Sequence, residues 1–351
     1  MSAGTIMEAG ARPPVGLRLL GGAMDAYKRV FVSGRSAELL SPSNPVRRSG
    51  FELDSVVEKL ERPAPDVLAV TLRAPDGRPL PSWRPGAHLD VFLRSGRQRQ
   101  YSLCGDPGDS FRYRIAVRLI PDGDGGSREL HEQLQQGDRL RIRGPRNAFT
   151  LVDAPSYLFL AGGIGITPML PMVRAAGPRG HLVYTGRSRA SMPFLDELPS
   201  AEIRPDDEYG PPDVAALIAR AEPGAAVYVC GPPPMLAAAQ RCRFALDATG
   251  SLHTERFSAA PVVDGKAFTI TLARSGRTVQ VAPEETTLTA LRRILPDASY
   301  SCRQGFCGTC EVGIRAGAVD HRDRLLTESA RADRMLPCVS RAAGDALVLD
   351  L

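Results

Sequence analysis

The segment YLFLAGGIGITPML, residues 157–170, divides the chain into two kinds of structure. It reads as a short apolar strand, a glycine turn and the first turns of a helix. Gly162, Gly163 and Gly165 fall at the strand-to-helix turn, where missing side chains let a pyrophosphate approach a helix N-terminus. Pro168 sits in the first helical turn, where proline is tolerated. The spacing is G-x-G-x-x-P rather than the dinucleotide fingerprint G-x-G-x-x-G, so the setting carries more weight than the motif. Downstream, HLVYTGR, DVAALIARA, AAVYVCG and PPMLAAAQRCRFAL alternate strand with helix as far as Phe257. That alternation predicts an α/β domain with a parallel sheet over 154–258.

Upstream the period is two. FELDSVVEKLE, VLAVTLRAP, HLDVFLRS, RQYSLCG, YRIAVRLI and RLRIRGP are strand-length runs with Pro, Gly and Asp turns between them. They predict a small antiparallel β-barrel over 49–153, interrupted by one helical piece, SRELHEQL. Beyond a linker at 259–265, FTITLARS, RTVQVAP, the helix TTLTALRRIL, a cysteine-rich loop, CEVGIRAG and ALVLDL predict a small mixed sheet over 266–351. Residues 1–48 read as an N-terminal extension whose one helix-like piece runs from Asp25 to Leu40. Met7 and Met24 are alternative starts.

A chain of 351 residues suits two or three domains. Its net charge of +5 is spread without a Lys/Arg-rich run, which argues against a nucleic-acid surface. No apolar stretch approaches the roughly 20 residues of a membrane helix, and no signal peptide is recognised, so a cytoplasmic location is expected. Of the seven cysteines, four crowd the C-terminal end. In this context they favour metal binding over disulfides.

Cys302, Cys307 and Cys310 lie in SYSCRQGFCGTC, and Cys338 follows in MLPCVSR. C-x4-C-x2-C with a distant fourth cysteine is the plant-type 2Fe–2S spacing. Such a loop wraps a two-iron cluster closely enough for backbone N–H groups to reach sulfur, and Gly305 and Gly308 permit that approach. Those bonds and the burial set a potential of roughly −400 mV. A structural zinc site usually draws on paired C-x2-4-C knuckles, and only one such pair is present.

Two further features suit nucleotides. In RQYSL, Arg99 can balance phosphate or ring charge, Tyr101 can pack on a flavin, and Ser102 can hydrogen-bond the ring edge. A half-buried strand with exposed polar positions is the competing account. GDGGSRELH turns into a helix with Ser127 at its N-cap and Arg128 beside it, a phosphate-binding arrangement or a plain capped turn. No segment suits an adenine, which favours a flavin mononucleotide. Arg187 and Arg189, in TGRSR at a strand end, suit a 2′-phosphate and hence NADPH, or a solvated loop. Cys230, before Gly231 and Pro232, fits beside a nicotinamide or is a buried structural cysteine. Phe257 either covers the flavin or belongs to the core.

Together RQYSL, IAVR (Ile115 to Arg118), GGS (Gly125 to Ser127), GGIGITPM, CGP, the cysteine loop, DHRD (Asp320 to Asp323) and CVSRA resemble the phthalate dioxygenase reductase family, which includes vanillate demethylase reductases. The resemblance runs from about residue 50 to Leu351. It implies FMN in the barrel, NADH in the α/β domain, a C-terminal β-grasp ferredoxin domain, and electrons passed on to a Rieske-type oxygenase. By that resemblance Arg99, Gln100, Tyr101 and Ser102 line the isoalloxazine, with Ala116, Val117 and Arg118 at its edge. Gly125, Gly126 and Ser127 take the FMN phosphate, Thr167 and Cys230 flank the hydride path, and the four cysteines hold the cluster. The family often has an acidic residue near Ser188, where this chain continues Ser-Arg, so NADH and NADPH both stay open. Residues 1–48 have no recognised counterpart. The same chemistry could serve a haem monooxygenase, and a non-catalytic redox sensor is a further alternative. Electron counting favours the enzyme: nicotinamide gives electrons in pairs, an iron–sulfur cluster takes one, and a flavin exchanges between them.

Overall fold

In the computed structural model the described residues are 52–123, 125–242, 249–258 and 261–351. The N-terminal extension, on which a helix-like piece is expected, and residues 243–248, which include the end of the helix expected from PPMLAAAQRCRFAL, lie outside them. The first six strands are β1 (Glu52–Ala64), β2 (Val67–Arg73), β3 (Ala87–Phe92), β4 (Gln98–Ser102), β5 (Arg112–Arg118) and β6 (Arg139–Asn147), with helix α1 (Gly126–Gln133) before β6. Their order is β4-β3-β6-β1-β2-β5, antiparallel throughout. A bridge between Leu103 and Ile115 joins the two outer strands and closes the barrel. Alternating residues such as Leu89, Val91, Ile115, Val117 and Ile142 fill the interior, and Leu130 of α1 plugs one end.

The next element is β7 (Tyr157–Gly162), followed by α2 (Ile166–Ala176), β8 (Gly180–Gly186), β9 (Glu202–Pro205), α3 (Asp206–Tyr209), α4 (Val214–Ile218), β10 (Ala226–Cys230), α5 (Pro233–Arg241) and β11 (Ser251–Glu255). These strands form a parallel sheet in the order β11-β10-β7-β8-β9. Strand alternation supplies a core on each face. Phe159, Ala161, Tyr184 and Tyr228 pack against Met169, Leu170 and Met172 of α2. Leu158, Leu160, Val183, Val227 and Val229 pack on the other face against α4 and α5. The chain moves outward from β7 to β9, then returns to the far side of β7 for β10. The crevice at that switch point lies beyond the C-terminal ends of β7 and β10, where ligands bind in open α/β sheets.

The last sheet holds β12 (Phe268–Leu272) and β13 (Thr278–Val281), then α6 (Thr287–Ile294) and β14 (Val312–Ala316). After these come β15 (Val319–Asp320), α7 (Glu328–Arg331), β16 (Arg334–Met335), β17 (Arg341–Ala342) and β18 (Ala346–Leu349). The order is β13-β12-β18-β14-β16, with β12 and β18 parallel at the centre, and β15 pairs separately with β17. Thr286 caps α6 by accepting from Thr289 N at 3.1 Å, and Ala290 and Leu291 pack onto the sheet core.

Two local expectations need correction. Ser127 is not the N-cap of α1. Gly125, at φ 87°, takes that position because only glycine adopts the left-handed region cheaply, so the helix begins one residue before the serine. The Ser127 hydroxyl instead accepts from Ile120 N at 3.0 Å. The helix read from DVAALIARA is only Val214–Ile218, capped by Asp213. Among the described residues no helix is long and apolar enough to cross a membrane.

Candidate functional site

On β4 the side chains diverge by strand alternation. Arg99 reaches the α1 turn, where a Cβ added at Gly126 would lie 2.5 Å from Arg99 Nε. A Cβ at Gly125 would lie 3.7 Å from Arg97 Nη2. Two guanidinium groups therefore meet a helix N-terminus over side-chain-free backbone, a cradle of the right charge for a phosphate. Arg128, expected beside it, turns away and donates to Pro121 O at 2.6 Å. Tyr101 packs at the margin of the barrel core, and Ala116 and Val117 are buried in β5. The Arg118 side chain donates to Asp66 Oδ2 at 2.8 Å, and a Cβ at Gly163 would lie 2.7 Å from its Nη1. Barrel and nucleotide sheet touch there.

Two further polar side chains of β4, Ser102 and Gln100, reach different neighbours of the barrel. Ser102 Oγ donates to Glu255 Oε2, at the end of β11, over 3.5 Å. Gln100 Nε2 donates to Ser301 Oγ, immediately before the first cluster cysteine, at 2.8 Å. Burial raises the Glu255 carboxyl to about 8, against a smaller downward pull from the Ser102 hydroxyl. Glu255 is in register with Cys230 on β10. The Cys230 thiol is pushed well above its usual range, first by burial and then by Glu255, so it stays protonated.

The glycine turn closes tightly on the end of β10. A Cβ at Gly165 would meet Cys230 O at 2.1 Å, and one at Gly162 would meet Pro232 Cδ at 2.6 Å. Thr167 is buried and donates to Ile164 O at 3.0 Å within the turn. A cavity of about 710 Å³ opens here, lined by Gly162, Gly163, Arg118, Thr185, Arg187 and Asp206 among others. Arg187 Nη2 lies 3.3 Å from Asp66 Oδ2, and Arg189 is engaged through two bonds, 2.7 and 3.1 Å, to Glu208. Asp206 Oδ1 is buried with no hydrogen-bond partner, and burial followed by the Asp207 charge holds that carboxyl above its ordinary value. Phe257 is 50% exposed.

The cluster cysteines come together in the last domain. Cys302 Sγ is within hydrogen-bonding reach of Cys307 and Cys338, and Cys338 reaches Cys310. The sulfurs thus form a chain of neighbours, Cys307–Cys302–Cys338–Cys310. Among the described residues no three His, Cys, Asp or Glu groups converge on a single ion. Gly305 and Gly308, at φ 77° and 73°, curl the loop so that Gln304 N points at Cys302 Sγ over 3.4 Å. The residues fit a two-iron cluster.

A profile for the 2Fe-2S iron-sulfur cluster binding domain matches residues 270–343. The chain is 41% identical over 313 residues to the carnitine monooxygenase reductase subunit of Escherichia coli (strain K12), covering 84% of this chain and 97% of that one. The solved structure of phthalate dioxygenase reductase, described as modular for electron transfer from pyridine nucleotides to 2Fe–2S, is 33% identical with a TM-score of 0.63. It covers 86% of this chain and 98% of that one. The chain belongs to the phthalate dioxygenase reductase family. Phthalate dioxygenase reductases are oxidoreductases that use FMN, NADH and a 2Fe–2S cluster, and the three sites described above have the residues for all three groups. An intact type IV self-sufficient cytochrome P450 monooxygenase is also similar, at 42% identity and a TM-score of 0.68 over 90% of this chain, which spans only 44% of that one.

Within this phthalate dioxygenase reductase fold, three site residues escaped sequence reasoning: Arg97, Asp206 and Glu255. Arg97 lies two residues before RQYSL, close enough to have been included. Glu255 had no such signal, since its partner Ser102 is 153 residues away. Cys104 and Cys242 remain outside the site. Cys104 is fully buried, its thiol pushed up to about 11 by burial, and it donates to Arg114 O.

Proposed function

We propose that this chain oxidises NADH and delivers electrons one at a time to a Rieske-type oxygenase. The observation that carries the reading is the position of β4. Its Ser102 touches the nucleotide sheet at Glu255, and its Gln100 touches the cluster loop at Ser301, so one five-residue strand borders both neighbours of the flavin. Bound FMN supplies the exchange between electron pairs and single electrons.

The protein's own groups bind, orient and hold protons. Arg97, Arg99, Gly125, Gly126 and Ser127 take the flavin phosphate. Arg99, Tyr101, Ser102 and the backbone of Ala116 to Arg118 orient the ring, and Phe257 covers it. Gly162, Gly163 and Gly165 receive the dinucleotide pyrophosphate, and Thr167 and Cys230 set the nicotinamide's position. At neutral pH both Cys230 and Glu255 carry their protons, so neither puts a negative charge where an electron-rich ring is to sit. Glu255 stays neutral one hydroxyl away from the ring edge, bonded by the Ser102 hydroxyl.

NADH is favoured over NADPH by the charges at the crevice. The guanidinium of Arg189 is committed to Glu208, and Asp206 puts a carboxyl on the cavity wall, suited to ribose hydroxyls and hostile to a 2′-phosphate. A second acceptor, haem, is favoured by one observation, the similarity to a self-sufficient P450. The purified protein should show flavin and iron–sulfur absorbance and respond to NADH with kcat/KM on the order of tenfold or more above NADPH. Cys307→Ser should abolish cytochrome c reduction and spare ferricyanide reduction. Zinc in place of iron ends the reading, and faster transfer to a P450 haem domain than to a Rieske-type oxygenase ends the acceptor assignment.

A further inference from the structure

The cluster loop is held from outside its own sheet. Arg146, near the end of barrel strand β6, has a side chain only 14% exposed. Its Nη1 donates to Thr309 Oγ1 at 3.1 Å. Thr309 stands between Cys307 and Cys310, is buried, and its hydroxyl lies 3.4 Å from Cys307 Sγ. A ligating thiolate can only accept, so there the hydroxyl hydrogen is directed at sulfur. The second arm of the guanidinium bonds Ser301 Oγ and Asp90.

Asp90 is fully buried and serves two cations, Arg146 and Arg143, the latter at 2.8 Å. Ser301 Oγ also donates to Asp90, at 2.8 Å, and Arg143 donates to Tyr300 O at 3.3 Å. One enclosed carboxylate against two enclosed guanidinium groups leaves a surplus of positive charge beside residues 300–310.

We propose that Arg146 is a positioning residue that sets the cluster's reduction potential through Thr309. One electron leaving the flavin side and arriving among the four thiolates adds a unit of negative charge there. Hydrogen bonds to a ligand sulfur and nearby positive charge favour that added electron, which are the levers by which proteins tune such clusters. Because Arg146 belongs to the barrel, the lever engages only while the cluster loop is seated against the flavin domain. Electron acceptance is thereby tied to docking. The inference rests on the two-iron reading above.

The test is an equilibrium redox titration of the full-length holoprotein, following the reduced cluster by electron paramagnetic resonance. Arg146→Met should show a reduced-to-oxidised ratio about tenfold lower when poised at the wild-type midpoint, a shift of about 59 mV to lower potential for one electron. Its ferricyanide reduction by NADH should be unchanged. Thr309→Val should shift the midpoint in the same direction and Thr309→Ser should restore it. A merely structural role would lower the melting temperature and leave the midpoint in place. A wild-type midpoint in Arg146→Met at full iron content overturns the proposal. If that variant does not fold, an unmoved midpoint in Thr309→Val overturns it equally. Absence of iron from the wild type would sink the two-iron reading instead, so the two failures are distinct.

Discussion

Glu255 is the residue that sets the charge beside the flavin edge, and its behaviour with pH has a definite sign. Its carboxyl rises from 4.5 to about 8, chiefly by burial. Between those values the folded protein binds a proton that the unfolded chain releases, so this group's contribution to stability is full below 4.5 and is lost as pH climbs through about 8. Above that pH the ionised carboxylate sets a negative charge one hydroxyl away from a ring that gains negative charge with the hydride. Flavin reduction by NADH should therefore slow as pH rises through about 8. Glu255→Gln, neutral at every pH, should lose that limb and keep the rate that wild type shows well below pH 8. Parallel pH profiles for wild type and variant in stopped-flow measurements would mean that the Glu255 charge does not act on hydride transfer. Residues of this kind are the least legible in a sequence. The cysteines announced themselves because C-x4-C-x2-C is a spacing along one loop. Glu255, at the end of an unremarkable strand, acquires its chemistry only when folding buries it against Ser102.

Elements were legible where burial repeats with a fixed period. The barrel strands alternate, the central parallel strands β7 and β10 are apolar and buried throughout, and Thr286 announces α6 as a capping residue does. Short elements without such a pattern were missed: β9 is four residues long, and α3 is the acidic tetrapeptide DDEY. The start of α1 shifted because a glycine's left-handed turn competes with a serine cap, a choice that sequence alone leaves open. The contact between α2 and β10 depends on another glycine. At Gly165 any side chain would press on the backbone of Cys230, which cannot rotate away. Gly165→Ala should cost about 1–3 kcal/mol, typical of overpacking, and weaken NADH binding while flavin is retained. Gly344→Ala, with no atom within 4 Å of the added carbon, serves as the control. Thermal melting and NADH titration check both, and equal melting temperatures would mean that the turn relaxes freely.

At the scale of the molecule, electron counting foretold three cofactors but not how their domains meet. No pattern in the sequence says that Gln100 reaches Ser301, or that a carboxylate on β3 clamps the loop ahead of Cys302. Asp90 does this from a fully buried position, with Arg143, Arg146 and Ser301 as partners. Removing one member of such a group leaves the others charged and unpaired, which costs about 3–5 kcal/mol, far more than the intact group contributes. Asp90→Asn leaves two guanidinium groups facing each other across the joint between barrel and cluster loop. The loss should fall on that joint and spare the sheets on either side. Hydrogen exchange should accelerate in residues 300–310 while amides of β7 and β10 keep their protection. Adding Arg146→Gln removes one of the stranded charges and should recover part of the protection, the non-additivity expected of residues sharing a partner. Unchanged exchange in residues 300–310 of Asp90→Asn would mean that apolar packing, and not this ion group, seats the cluster loop on the flavin domain.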